Sequence, residues 1–196
     1  LRGIALSPNG DRLLLTEFYT ARVQAVDVQR WQVVDQWQGA STDNLARQIV
    51  LHPRRPKAYL PHIRSQVTIF QGDGSIFPFV TTVDTAAGEG RRRKQIPLDA
   101  FRGNLVTANP WEAAISDNGS DLYVVFSGSD DLFACTTVDD DYRELSYRGY
   151  LRVGHTPRAV RVAPQGKTFY VYNAFDFSVV AYEAATLQAI ATIAVT

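Results

Sequence analysis

The 196-residue chain contains no methionine and a single cysteine, Cys135. One thiol cannot close an internal disulfide, and with no Cys-x-x-Cys-His segment no haem attaches covalently within the sequence. An excess of one charge is missing too. Twenty basic residues offset twenty acidic ones, which argues against a general nucleic-acid binder or a membrane-surface protein. No apolar run is long enough to span a bilayer as a transmembrane segment, and no signal peptide is visible. Neither Gly-x-Ser-x-Gly nor a phosphate-binding glycine loop occurs. The 3.6-residue hydrophobic period of a helical solenoid is absent as well.

What the chain has is an internal repeat. Arg2–Gln36 aligns without a gap on Arg158–Thr192, pairing Pro8 with Pro164, Gly10 with Gly166 and Ala25 with Ala181. Mismatches keep their chemistry, as in Ile4 against Val160 and Leu15 against Val171. Two further copies lie between. Pro110–Ala134 matches Pro157–Ala181, and Arg47–His62 matches Arg158–Asn173. The second copy replaces the turn glycine with Arg55, so its turn is expected to differ in detail. A unit of roughly 40 to 50 residues lies in the range of propeller blades.

The last copy shows the plan. Ala159–Val162 alternates, Pro164-Gln165-Gly166 turns the chain, and Thr168–Tyr172 is β-branched and aromatic, as strands are. Val179–Tyr182 and Ala189–Val195 complete four strands. Repeated four-stranded antiparallel units predict an all-β fold, a β-propeller; a β-sandwich would not need one spelling four times. Strands are expected at Ile4–Leu6, Arg12–Thr16, Val23–Val28 and Val33–Trp37 in copy one. Copy two should have Gln48–Leu51, Ala58–Leu60, Val67–Phe70 and Phe77–Val83. Copy three should have Ala113–Ser116, Leu122–Phe126, Leu132–Val138 and Tyr147–Val153. The expected blades are residues 1–40, 41–84, 110–153 and 154–196, with a long irregular loop at 85–109 that carries the basic run Arg91–Lys94. Closed rings have four to eight blades, and no strand looks reserved for closing a circle. The expectation is therefore a partial propeller, part of a larger seven- or eight-bladed ring, whose remaining blades are one expected partner.

Chemistry-bearing residues are few. Cys135 sits in a strand between apolar neighbours and reads as a buried thiol. His52, His62 and His155 show no metal spacing. Asp130-Asp131 and Asp139-Asp140-Asp141 lack the pattern of a calcium loop and read as solvated turns. The repeat itself gives the candidate site. The position opening each first strand holds Arg2, Arg47, Trp111 and Arg158; the position ending each second strand holds Glu17, His62, Phe126 and Asn173. Equivalent positions of a propeller form rings. Three arginines at one level would make a positive rim for an acidic protein or anionic ligand, or would tie neighbouring blades together.

The spelling Ser7-Pro8-Asn9-Gly10-Asp11-Arg12, with Thr168-Phe169-Tyr170-Val171-Tyr172-Asn173, resembles the YVTN-type propeller repeat over nearly the whole chain outside the long loop. Asn109-Pro110-Trp111-Glu112, Val124–Leu132 and Val171-Tyr172-Asn173-Ala174 are similar to the propeller part of bacterial di-haem cytochrome c peroxidase-like proteins. That resemblance implies a secreted or periplasmic redox protein, with haem c in an appended domain and no catalytic residue, metal or cofactor in this segment. Three readings follow: a non-catalytic scaffold or interaction module, a lactonase-type propeller hydrolase with a channel metal near Glu17 and Asn173, or a cell-surface module.

Overall fold

The computed structural model describes residues 1–67, 74–86, 93–98, 107–138 and 143–195. The chain forms two compact units, Leu1–Leu105 and Val106–Thr196. Each unit holds two antiparallel sheets, in the manner of propeller blades.

In the first unit, β1 (Gly3–Leu6), β2 (Arg12–Thr16), β3 (Val23–Asp27) and β4 (Gln32–Trp37) pair in chain order. The second sheet departs from that plan. Its first strand is split into β5 (Asp43–Asn44) and β6 (Val50–Leu51), both paired with β7 (Lys57–Val67), which pairs with β8 (Gly74–Asp84) and then β9 (Arg93–Pro97). This corrects the sequence reading at three points. The second strand does not stop at Leu60 but runs to Val67; the segment Phe77–Val83 belongs to the third strand; and the fourth strand lies inside the stretch expected to be a loop. Of the expected strand Val67–Phe70, residues 68–70 lie outside the described residues, as do Arg91 and Arg92 of the basic run. Pro61 was the misleading signal, because proline inside a strand normally marks its end. Here it pairs with Val80, while on the other side β5 reaches Ile63 and β6 reaches Tyr59. The gap between those two short strands lies opposite the residue that has no N–H to give.

In the second unit, β10 (Pro110–Ile115), β11 (Asp121–Phe126), β12 (Asp131–Thr137) and β13 (Leu145–Arg152) form one sheet. The other contains β14 (Pro157–Val162), β15 (Thr168–Asn173), β16 (Ser178–Glu183) and β17 (Ala189–Ala194). These strands fall within a few residues of the expected ones.

The repeat is written into the backbone more deeply than into the side chains. Gly10, Gly119 and Gly166 occupy one repeat position and have φ of 74°, 78° and 73°. Each donates its N–H to the carbonyl three residues back, on Ser7, Ser116 and Ala163. Equivalent positions without glycine are also left-handed: Ala21, Asp130 and Phe177 at one site, Leu45, Asn109 and Thr156 at another. L-residues avoid this region, so its recurrence marks a fixed chain path. The second copy, lacking the turn glycine, caps its turn differently. His52 Nδ1 accepts the backbone N–H of Arg54 and Arg55, both at 3.0 Å, and the closing bond from His52 N–H to Lys57 O is kept at 2.8 Å.

Within each unit, adjacent sheets bury an apolar layer. Leu14, Val23, Ala25 and Trp37 meet Ile49, Ala58 and Leu60 in the first. In the second, Tyr123 stacks on Phe169 with centroids 4.4 Å apart, and Phe169 on Tyr182 at 5.1 Å. Stacked rings of this kind add to the area they bury.

Candidate functional site

The eight repeat-position residues can be followed one unit at a time. In the first unit Arg2 is exposed just before β1, and its N–H donates to Thr16 O at 2.8 Å. Glu17 follows β2 and turns back on its own loop. Its carboxylate pairs with Arg22 and accepts the Thr20 hydroxyl at 2.8 Å. Those two hydrogen bonds, Arg22 first, hold its pKa below the ordinary value. Arg47 lies in the break between β5 and β6, with its guanidinium carbon 5.2 Å from the centre of the Phe18 ring. Its backbone packs tightly against β1: a Cβ on Gly3 would fall 2.9 Å from Arg47 O and 2.8 Å from Gln48 Cα.

His62 does not end a strand. It sits in the middle of the extended β7–β8 ladder, opposite Phe79, and is fully buried. The reason is the lengthening of β7 described above. Its Nδ1 lies 3.1 Å from Ile63 O and its Nε2 lies 2.7 Å from Thr81 Oγ1. A carbonyl can only accept, so Nδ1 carries a proton, and in the neutral ring Nε2 accepts from the threonine hydroxyl. Asp43 Oδ1 stands 4.0 Å from Nδ1 and 3.3 Å from Arg64 Nε. Arg64 in turn lies 4.6 Å over the Phe79 ring, which stacks on His62. Hydroxyl, imidazole and carboxylate in this order have the outline of a nucleophile triad. Thr81, His62 and Asp43 are all buried, however, and the carboxylate already serves Arg64 and the Ala40 N–H at 2.8 Å. The cluster ties β5, β7 and β8 together. Asp43 and Arg64 were missed from sequence because they are 21 residues apart and match no motif.

In the second unit Trp111 and Arg158 come together, the guanidinium carbon 3.6 Å from the ring centre. Beside them Glu112 Oε2 accepts the Val160 N–H at 2.9 Å and pairs with Arg161 at 2.9 Å. These contacts join the two sheets of the unit. Phe126 is buried edge-on against Phe133. Asn173, at the end of β15, is buried with neither amide atom hydrogen-bonded. His62, Phe126 and Asn173 therefore offer no surface, whereas Arg2 is exposed.

Other sequence candidates find plain places. Burial pushes the Cys135 thiol up to about 12. The reading of Asp130-Asp131 as a solvated turn is corrected at Asp131, which is buried at the start of β12 and accepts the Tyr150 hydroxyl at 2.6 Å. Asp130 accepts the Thr156 N–H at 2.7 Å. Asp139–Asp141 lie outside the described residues. His155 is exposed, and its Nδ1 is 2.6 Å from Asp176 Oδ1. Among the described residues no three His, Cys, Asp or Glu side chains form a group able to hold a metal.

No protein-family model matches the chain, and no curated protein matches it. Neither the YVTN resemblance nor the cytochrome resemblance thus gains a family assignment. Solved structures match at the level of fold. A chain of hydrazine synthase from Kuenenia stuttgartiensis superposes with a TM-score of 0.80 at 20% identity, over 94% of this chain and 58% of that one. A provisionally assigned 6-phosphogluconolactonase from Bacteroides uniformis ATCC 8492 gives 0.74 at 17% identity, over 99% and 55%. A chain of the nidogen/laminin complex gives 0.67 at 19% identity, over 98% and 62%. The chain thus spans a little more than half the length of these structures. It is an all-β protein of propeller blades.

Proposed function

We propose that the chain is a non-catalytic β-propeller module that docks an acidic protein or an anionic ligand through arginines at one repeat position. The observation that carries this reading is the way two of those arginines are held. Arg47 lies over Phe18 and Arg158 over Trp111. A guanidinium held over a ring is oriented by the cation–π contact while its N–H groups stay suited to carboxylates; Arg47 also donates to the Leu45 carbonyl at 3.4 Å. Arg2, at the equivalent position, is exposed. The setting belongs to the same proposal: a secreted or periplasmic protein, with a c-type cytochrome domain elsewhere in its sequence. The chain of the nidogen/laminin complex, part of a protein complex by its name, is in keeping with a binding role. The test is binding of polyglutamate by variants Arg47→Glu and Arg158→Glu at several salt concentrations. Each reversal is expected to weaken binding roughly tenfold at low salt and to flatten its salt dependence. Unchanged affinity in both variants would sink the idea.

A second reading, a lactonase-type hydrolase with a channel metal, is favoured by one feature, the unpaired buried amide of Asn173. The similarity to the Bacteroides protein adds to it. Glu17 speaks against it, since its carboxylate is engaged by Arg22 and Thr20. Lactone hydrolysis that is lost on chelation and on Asn173→Ala would establish this reading over the first.

A further inference from the structure

We propose that the first unit holds a binding site for a phosphate group, in the cavity between the turn of its first sheet and the turn of its second. The cavity lies at the end of β1 away from Arg2, so the site stands apart from the docking arginines of the repeat position.

The cavity has a volume of about 200 Å³, with Ser7, Asp11 and Arg12 on one wall and His52, Arg55 and Thr85 on the other. Both walls carry a guanidinium. Arg12 opens β2, and its one side-chain hydrogen bond among the described residues runs from Nη1 to Thr85 O at 3.2 Å. That engages one of the five N–H groups a guanidinium offers. Arg55 Nη2 donates to the Tyr59 hydroxyl at 3.3 Å, and its Nε lies 2.9 Å from His52 Nε2. The histidine makes this last contact informative. Its Nδ1 already accepts the N–H of Arg54 and of Arg55. A neutral imidazole has one acceptor nitrogen, so Nε2 carries the ring proton and meets the Arg55 Nε–H donor to donor. An anionic oxygen beside the two accepts from both and removes the conflict. The one acid among the described lining residues, Asp11, is exposed, and its Oδ1 accepts the Ser7 hydroxyl at 2.8 Å.

The second unit fills the matching place from its own side chains. Its cavity is about 320 Å³. Asp121 stands there where Arg12 stands in the first unit: each begins a second strand and gives its backbone N–H to a serine hydroxyl of the turn, Ser116 at 3.0 Å and Ser7 at 2.9 Å. Ala184 stands where Thr85 does, their N–H groups bound to Lys167 O and Pro56 O. A guanidinium reaches this carbonyl too, Arg148 Nη1 to Ala184 O at 2.6 Å. That arginine has a carboxylate beside it, with Asp121 Oδ1 3.3 Å from its Nε, and Gly166 holds the place of Arg55. In the first unit the carboxylate has become Arg12, and Arg55 and His52 have been added. An anion from outside then supplies the charge that Asp121 supplies in the second unit. Phosphate suits the place better than a carboxylate. Its oxygens point to several sides and meet donors from both walls, whereas a carboxylate matches the edge of one guanidinium. The volume, below the roughly 300 Å³ at which pockets for larger ligands begin, suits the free ion or a small phosphate monoester.

Titration calorimetry of the full chain with inorganic phosphate and with glycerol phosphate tests the site. Saturable one-site binding is expected; tighter binding of the ester assigns the site to a small phosphorylated molecule, tighter binding of phosphate to the free ion. Arg12→Asp and Arg55→Gly install the residues of the second unit, and each should weaken binding roughly tenfold or more, as the loss of a charge-assisted hydrogen bond does. Arg152→Asp changes the charge as much as Arg12→Asp at an exposed residue of the second unit, and should weaken binding less than about twofold. In the unsubstituted protein, phosphate should move the nitrogen resonances of the His52 ring, a readout that no folding defect can imitate. No saturable binding of either probe, equal losses in all three variants, or unmoved His52 resonances would overturn the proposal. Tighter binding of succinate than of either phosphate probe would overturn it in favour of a carboxylate ligand.

Discussion

The second and fourth sheets descend from one repeat, yet they are held together by different chemistry. The fourth follows the plan: four strands, a left-handed glycine at its turn, and an aromatic stack through Phe169. The second has a split first strand, a β7–β8 ladder eleven residues long, no turn glycine, and a buried polar cluster of Asp43, His62 and Thr81 reached by Arg64. Each loss has a local answer. His52 caps the turn that glycine would have made, and the strand break falls where Pro61 has no hydrogen to donate. The lesson is that the repeat specifies the path of the backbone, while the interior chemistry of each copy is free to diverge if its polar groups are satisfied.

The comparison is tested most severely by removing the centre of each arrangement. Phe169→Ala should cost about 3–5 kcal/mol, as for other buried aromatic truncations. Asp43→Ala should cost about 3 kcal/mol, because it strands the groups it was pairing. Native-state hydrogen exchange, read at Val171 and Leu60, assigns each loss to its own unit. If Asp43→Ala left the Leu60 amide unchanged, the polar cluster would be incidental and the contrast would fail. A smaller effect sharpens the turn argument. A Cβ on Gly10 meets nothing within 4 Å, so Gly10→Ala isolates the backbone term and should cost about 1 kcal/mol. Arg55→Gly at the matching turn should bring no gain in the urea midpoint, since Arg55 is not left-handed and already makes its own contacts.

The smallest effect concerns pH and the exposed pair His155–Asp176. The hydrogen bond to Asp176 raises the His155 pKa above its ordinary 6.5, and the same bond lowers Asp176 below 3.8. The histidine's contribution is full below pH 6.5 and fades as pH rises through the raised value. The aspartate's is present above pH 3.8 and fades as pH falls through the lowered value. The difference in stability between wild type and His155→Gln should therefore be greatest between those two limits. A difference that is flat from pH 3 to pH 9 would remove the pair from the account.

Much of the fold was legible because alternation, turn glycines and β-branched runs act locally. The sequence located strands β1–β4 and β10–β17 to within a few residues. It failed in the second copy for physical reasons. Pro61 and the polar run after it hid the continuation of β7, and β9 is spelled by residues that also suit a solvated loop. The repeat also named positions without revealing burial. Arg2 and Phe126 are equally repeat-marked, yet one faces solvent and the other is sealed against Phe133. The partnership of Asp43 with Arg64 depends on a strand pairing that no local pattern announces.

One irregularity recurs with the repeat. Between the third and fourth strands of three sheets the register slips after Ala25, Ala134 and Ala181, leaving Val34, Arg148 and Ile190 without a cross-strand partner. A bulge leaves its extra residue unpaired and re-aims it, and the disruption of the ladder stays local. The slot is thus a constant mount with an exchangeable fitting. In one copy the fitting is an arginine that reaches the Tyr123 hydroxyl and the Ala184 carbonyl, and in the other two it is a half-open aliphatic side chain. Divergence after duplication has had an address at which to act, and protein engineering has the same address: one variable residue per blade, on a backbone that does not have to move.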